Sequence, residues 1–247
     1  MKRINFILFG ALITALIFNS CKQGEDDIKL FPIKSGDKWG YVDKTGKYVI
    51  NSQFEEAYTF SEGLALFKSI DGKWGFIGED GKYAINPIYK EAASFSEGLA
   101  CVVMQDGKPQ FINKENKVMF TVDKAESCSS FSGGMSRVKI KGKWGYIDKS
   151  GKVVINPIYE DARGFEEGLA LVSKIDDSKK EKLWGFIDET GAVKINFQFL
   201  ENKEAWRDPE SFQEGLAFVS SDGKLWGCID KDGKYQINPQ FEFKFLD

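Results

Sequence analysis

The chain has 247 residues, 42% of them apolar and 14% aromatic, which is enough to bury a core. Its formal charge of −3 lies too near balance for a nucleic-acid binder, which needs a field of Lys and Arg. There is no histidine, so Ser-His-Asp and Cys-His catalysis and His-ligated metal sites are excluded, and any catalysis must rest on Asp, Glu, Lys, Tyr or Cys.

Lys2 and Arg3 precede an apolar run from Ile4 to Phe18, and Asn19-Ser20-Cys21 follows. The run is short for a membrane span and reads as a secretory signal over residues 1–20. A small residue directly before Cys21 makes it resemble a bacterial lipoprotein signal, although Phe18 and Asn19 depart from the usual lipobox. That resemblance implies that Cys21 becomes the first mature residue and carries acyl chains; plain secretion is the alternative. Residues 21–27 then form the lipidated Cys and an acidic tether, ending Glu25-Asp26-Asp27. The cluster resembles the surface-export signal of Bacteroidetes lipoproteins, or is simply solvated chain that must not pack. The expected location is the outer membrane or cell surface, lipid-anchored, with a periplasmic or secreted protein as the alternative.

Residues 28–247 are a repeat domain. The pairs Trp39-Gly40, Trp74-Gly75, Trp144-Gly145, Trp184-Gly185 and Trp226-Gly227 are spaced by 35, 70, 40 and 42 residues. Pro109-Gln110 marks the midpoint of the long gap, inside a worn copy of the same unit, so six units are expected, headed at 39, 74, 109, 144, 184 and 226. Each holds three short apolar runs joined by Gly turns, which predicts a three-stranded antiparallel meander. Asn-Pro then stops the third run, because Pro donates no ladder bond. A linker follows, with an aromatic, an Ala and a Phe as anchors, and ends at Glu-Gly, where Gly supplies an unusual backbone angle.

The Trp and the aromatic two residues on share one sheet face, so the Trp row reads as core rather than as a ligand-stacking surface. Gly between them is expected to leave room for a neighbouring unit's side chain. Asp43, Asp148, Asp188 and Asp230 open the second turn, where a carboxylate bonds backbone amides two residues on; this needs no metal.

The pattern KWG-[YF]-[IV]-D-x-x-G, then INP, then F-x-E-G-L-A resembles the WG-repeat family of bacterial proteins over residues 28–247. The family implies no catalytic residue and no cofactor. Apolar residues on both faces of most strands require every sheet to be covered twice. The fold class expected is therefore all-β, six tandem meanders arranged like a propeller, with an open β superhelix or solenoid as the alternative. The alternating tail Phe241–Phe245 either adds a closing strand or caps an open end.

Function is sought where the template breaks, because consensus positions are already used by the fold. The third unit lacks its Trp. The turn before Trp184 gains residues, as does the linker before Phe212, which carries Trp206, Arg207 and Asp208. An aromatic beside Arg suits a glycan or a protein hot spot, so Trp206 and Arg207 are the candidate binding residues. Cys101, Cys128 and Cys228 replace core residues and read as buried thiols, with Cys101–Cys128 the nearest pair for a disulfide. The reading is a non-enzymatic envelope lipoprotein that binds or scaffolds, with the membrane and a glycan or protein as partners and no nucleic acid. The alternatives are a carbohydrate-active enzyme with paired carboxylates and a structural subunit of an envelope assembly.

Overall fold

A computed structural model describes residues 30–203 and 207–243. The expected signal, Cys21, the tether and Trp206 lie outside the described residues. Every regular element within them is an antiparallel strand, and the strands form six sheets. The first sheet is β1 (Leu30–Ser35), β2 (Lys38–Asp43) and β3 (Tyr48–Phe54). The second is β4 (Glu56–Ser61), β5 (Leu64–Lys68), β6 (Trp74–Gly78) and β7 (Tyr83–Tyr89). The third is β8 (Glu91–Ala92), β9 (Ala100–Val103), β10 (Pro109–Ile112) and β11 (Val118–Thr121). The fourth is β12 (Ala125–Ser132), β13 (Met135–Ile140), β14 (Lys143–Asp148) and β15 (Val153–Tyr159). The fifth is β16 (Ala162–Glu166), β17 (Leu169–Asp176), β18 (Glu181–Asp188) and β19 (Val193–Phe199). The sixth is β20 (Ala217–Val219), β21 (Leu225–Ile229) and β22 (Tyr235–Glu242).

The expected meander is present in all six sheets, and in four of them the linker adds a further strand, β4, β8, β12 or β16, beside it. Three details differ from the sequence reading. Pro87 and Pro157 do not end their strands. Each lies inside β7 or β15, which run on to Tyr89 and Tyr159, opposite Trp74 and Trp144. The extra residues bulge out of an edge strand, where a missing N–H costs nothing and pairing with other chains is discouraged. The Gly of Trp-Gly makes room for that bulge, not for a neighbour's side chain: a Cβ on Gly75 would stand 2.7 Å from the Ile85 carbonyl oxygen and 2.8 Å from the Pro87 nitrogen. In the third unit Gln110↔Thr121 and Phe111↔Phe120 pair without this bulge, so losing Gly there costs nothing. Finally, the described part of the tail, as far as Phe243, forms no separate closing strand. Phe241 pairs with Trp226 within β22, and Phe243 packs edge-on against Trp226 and Phe218, which caps the last sheet.

The sheets stack face to face. Tyr41, Ile50 and Phe54 of the first pack with Ala65, Phe67 and Ile77 of the second, and four equivalent clusters join the later pairs. Among the described residues no core cluster joins the sixth sheet to the first, so the sheets do not close. Trp39, Trp74 and Trp144 are half-buried, and Trp184 and Trp226 fully buried.

The repeated polar residues have structural partners. The Asp43 carboxylate accepts from the Thr45 and Lys47 amides at 2.8 and 3.1 Å, and Asp148, Asp188 and Asp230 do the same in their turns. The Thr190 hydroxyl, which donates to Asp188, and then the Ala192 and Thr190 amides, with Lys194 beside them, hold the Asp188 carboxyl down at about 2. Glu62-Gly63 is a two-residue hairpin turn with φ of 54° and 84°, the conformation that matches strand twist but resists a Cβ. Glu is kept there because it reaches the next unit. Its carboxylate accepts from the Gly98 amide at 3.1 Å and pairs with Lys114 at 3.3 Å. Glu97 does this with Gly134 and Lys149, and Glu167 with Gly215 and Lys231. Ser61, Ser96 and Ser132 donate to the Phe95, Phe131 and Phe165 carbonyls of the following units. Cys101 and Cys128 form a disulfide between the third and fourth sheets, with Cα atoms 6.0 Å apart, in place of two buried thiols. Cys228 is free and half-buried.

Candidate binding cleft

The two lengthened segments meet. The extra residues before Trp184 extend β17 and β18 beyond their counterparts, to a tip where Asp176 accepts from the Ser178 amide at 2.9 Å. The long linker after β19 is held at both ends: the Leu200 amide bonds Ser220, and Asn202 and Arg207 exchange two backbone bonds of 2.7 and 3.0 Å. Gly223, in the first turn of the sixth sheet, lies against it so closely that a Cβ would stand 2.9 Å from the Glu201 carbonyl oxygen. Between hairpin, linker and turn is a cleft of about 270 Å³, lined by Glu181, Lys182, Glu201, Lys203, Asp222 and Lys224 among others.

Lys182 and Glu201 of its wall belong to a charge network that extends beyond the lining to Asp161, Arg163 and Asp208. Lys182 bridges Asp161 at 3.0 Å and Glu201 at 2.7 Å. Burial works against the ammonium, yet the hydrogen bonds it donates to both carboxylates outweigh this and hold the Lys182 pKa above its ordinary value. Arg163 pairs with Asp208 at 2.6 Å. Burial pushes the Asp208 carboxyl up; Arg163 and Lys182 oppose this, and Glu201 adds to it. Both cations lie over the fully buried Trp184 ring, at 5.6 and 5.2 Å, and the Trp184 indole nitrogen meets no acceptor among the described residues. Asp161 and Glu201 stand where Glu56 and Glu91 stand in earlier linkers; Asp208 belongs to the insertion alone. Among the described residues no cluster of acids and Cys could hold a metal ion. The arrangement offers donors and acceptors of both signs side by side, which suits hydrogen bonding to a neutral or zwitterionic polar ligand.

Of the residues singled out from sequence, Arg207 lies at the end of this linker and turns away from the cleft. Its guanidinium sits 4.2 Å from the Phe243 ring centroid, over Phe218 and Trp226, and pairs with Glu210. The cleft residues themselves escaped the sequence reading; the signal for them was the position of the two insertions at one end of adjacent sheets.

The family model described as "WG containing repeat" matches residues 39–74, 74–108, 111–144, 144–176 and 226–243. The chain belongs to the WG-repeat family. The stretch between 176 and 226, which builds the cleft, is where the WG model finds no match. None of the curated proteins matches the sequence. Among solved structures the WG chain is similar to Hsv2 from Kluyveromyces lactis, with 11% identity, a TM-score of 0.55, and coverage of 90% of this chain and 80% of that one. It is similar to the computationally designed Ika8 protein at 12% identity and a TM-score of 0.51, covering 84% and 67%. A eukaryotic initiation factor matches at 10% and 0.55, covering 85% and 63%. The chain thus spans about two thirds of the length of the designed protein and of the initiation factor, and at these identities the likeness is one of fold.

Proposed function

We propose that this WG-repeat protein is a non-enzymatic binding or scaffold module of the cell envelope, anchored by lipid on Cys21, that engages a polar glycan or a protein at the cleft between its fifth and sixth sheets. One observation carries the reading. The recurring residues are spent on turns, bulges and joints between units, and the chain's two added segments converge on one polar cleft. Trp206 belongs by sequence to the same inserted segment and, though outside the described residues, is the aromatic we assign to stacking on such a ligand. The paired charges there would orient a ligand through hydrogen bonds.

The site test is recovery of envelope components and of a glycan panel by the full chain, compared with Trp206→Ala and with Lys203→Glu/Lys224→Glu. Both variants are expected to recover at least about tenfold less of one ligand; equal recovery by all three removes the site. The anchor test is acyl labelling and membrane fractionation of Cys21→Ala, which should lose label and move to the soluble fraction; an unchanged fractionation removes the anchor.

A further inference from the structure

The five joints between sheets share one construction. A large aromatic stands on the forward face of each of the first five sheets, Tyr41, Phe76, Phe111, Tyr146 or Phe186, and at four of the joints it shares a core cluster with a small residue on the back face of the next. That small residue pairs with the position just before the second turn in every sheet, and it is Ala65, Ala100, Ser136, Ala170 or Ala217, each fully buried. Large against small keeps the volume of each joint constant.

The ends of the array invert the pair. On the back face of the first sheet the small position is filled by Phe31, opposite Val42. On the forward face of the sixth sheet the aromatic position is filled by Cys228. Among the described residues both faces are open. Phe31 and Ile33 are 39% and 40% exposed, against 0% for Ala65 and Phe67 at the same places in the second sheet. Ile237 and Phe241 are 36% and 39% exposed, against 3% and 2% for Ile195 and Phe199 in the fifth. Phe243 and Arg207 shield Trp226 at the rim and leave this lower part of the face uncovered.

We propose that the sixth sheet of one copy stacks on the first sheet of a second copy, with Phe31 of one against Cys228 of the other, extending the internal stacking from molecule to molecule. The two open faces are one of each kind found in every internal joint, and their exchanged large and small residues fit each other as the internal ones do. Such a contact is heterologous, so it propagates into linear assemblies rather than stopping at a dimer. It does not depend on the lipid anchor or on the cleft.

The test uses the full chain in detergent with Cys21→Ser, which removes the other cysteine outside the disulfide. Adding Phe31→Cys and oxidising mildly, at a concentration raised about a hundredfold above the association midpoint to offset the loss of the Phe31 ring, is expected to give a ladder of dimers, trimers and longer species on a non-reducing gel, through a bond to Cys228. A cross-linked monomer would show ring closure within one chain and overturn the proposal, as would no cross-link at all. Sedimentation without cross-linking gives the second readout. Phe31→Ala and Cys228→Phe should each shift the association midpoint at least about tenfold to higher concentration, and the double variant should return to within about threefold of the unsubstituted chain. A chain that is monomeric at every concentration, or single variants that add without rescue, would overturn it.

Discussion

The joints between sheets come in two kinds, and setting them side by side explains a variation that looks random along the chain. The joints from second to third, third to fourth and fifth to sixth sheet are clasped by Glu62, Glu97 and Glu167, each reaching a Gly amide and a Lys of the next unit. Among the described residues the joints from first to second and fourth to fifth have no such Glu. There the aromatic after Trp-Gly is tyrosine, and its hydroxyl donates into the next linker: Tyr41 to the Tyr58 carbonyl at 2.9 Å and Tyr146 to the Arg163 carbonyl at 2.7 Å. The clasped joints carry Phe76, Phe111 and Phe186 at that position. Tyr or Phe after Trp-Gly is therefore not a neutral choice between aromatics. A bolt buried in the sheet stack stands in where the clasp at its rim is missing.

The sharpest way to break this comparison is to remove a bolt. Tyr146→Phe leaves the Arg163 carbonyl in the joint without its donor. It is expected to cost about 1.5 kcal/mol, the upper end of what a part-buried hydrogen bond contributes. Amide hydrogen exchange should report faster opening in β16 and in β15 while the second-to-third joint is unchanged. A loss below about 0.5 kcal/mol would mean that the hydroxyl is incidental and the two classes are not distinct.

Acid should separate the classes in the opposite sense. Burial works against the Glu97 and Glu167 carboxylates, but Lys149 and Lys231 and the glycine amides win, so both pKa values fall below the ordinary 4.5. A depressed folded value means that the contribution is fully present above 4.5 and is lost as pH falls through the folded value. The joints clasped by Glu97 and Glu167 should lose up to about 1 kcal/mol each on that path, as expected for half-exposed ion pairs with one amide bond. The bolted joints should not respond, because burial raises the Tyr41 and Tyr146 hydroxyl pKa values and both stay protonated. Exchange rates measured joint by joint between pH 6 and pH 3 check this; uniform loosening would erase the distinction.

Much of the fold was legible in the chain. The unit count, the all-β class, the meanders and the Asp turns follow from Gly placement and short apolar runs. What stayed hidden was hidden by bulges. Ala57 and Phe60 both reach the core though they are three residues apart, because β4 shifts register between them. That odd spacing hid a strand inside what read as a linker. The Pro bulge likewise concealed that Ile85 and Tyr89 belong to one strand. The clasps and the cleft depend on residues brought together from different units, such as Glu62 with Gly98 or Lys182 with Glu201, and no local pattern announces such meetings. Trp206 and Cys21 were legible as candidates from chemistry alone.

The smallest expected effect tests why the clasp uses glutamate at all. Glu97 sits at a φ of 54°, which costs a residue with a Cβ roughly 1 kcal/mol. Glu97→Gly would relieve that strain and lose a clasp of similar worth, so net stability at neutral pH should change by less than about 0.5 kcal/mol. The fourth unit already carries this arrangement, as Gly133-Gly134 with φ of 60° and 78°, at one of the two bolted joints. The variant should therefore be close to neutral in urea unfolding at pH 7, and its third-to-fourth joint should no longer respond to acid. A clear stabilisation would mean that the clasp contributes nothing and Glu is retained for another reason. A loss above about 1 kcal/mol would mean that the carboxylate does more at the joint than offset its own backbone strain.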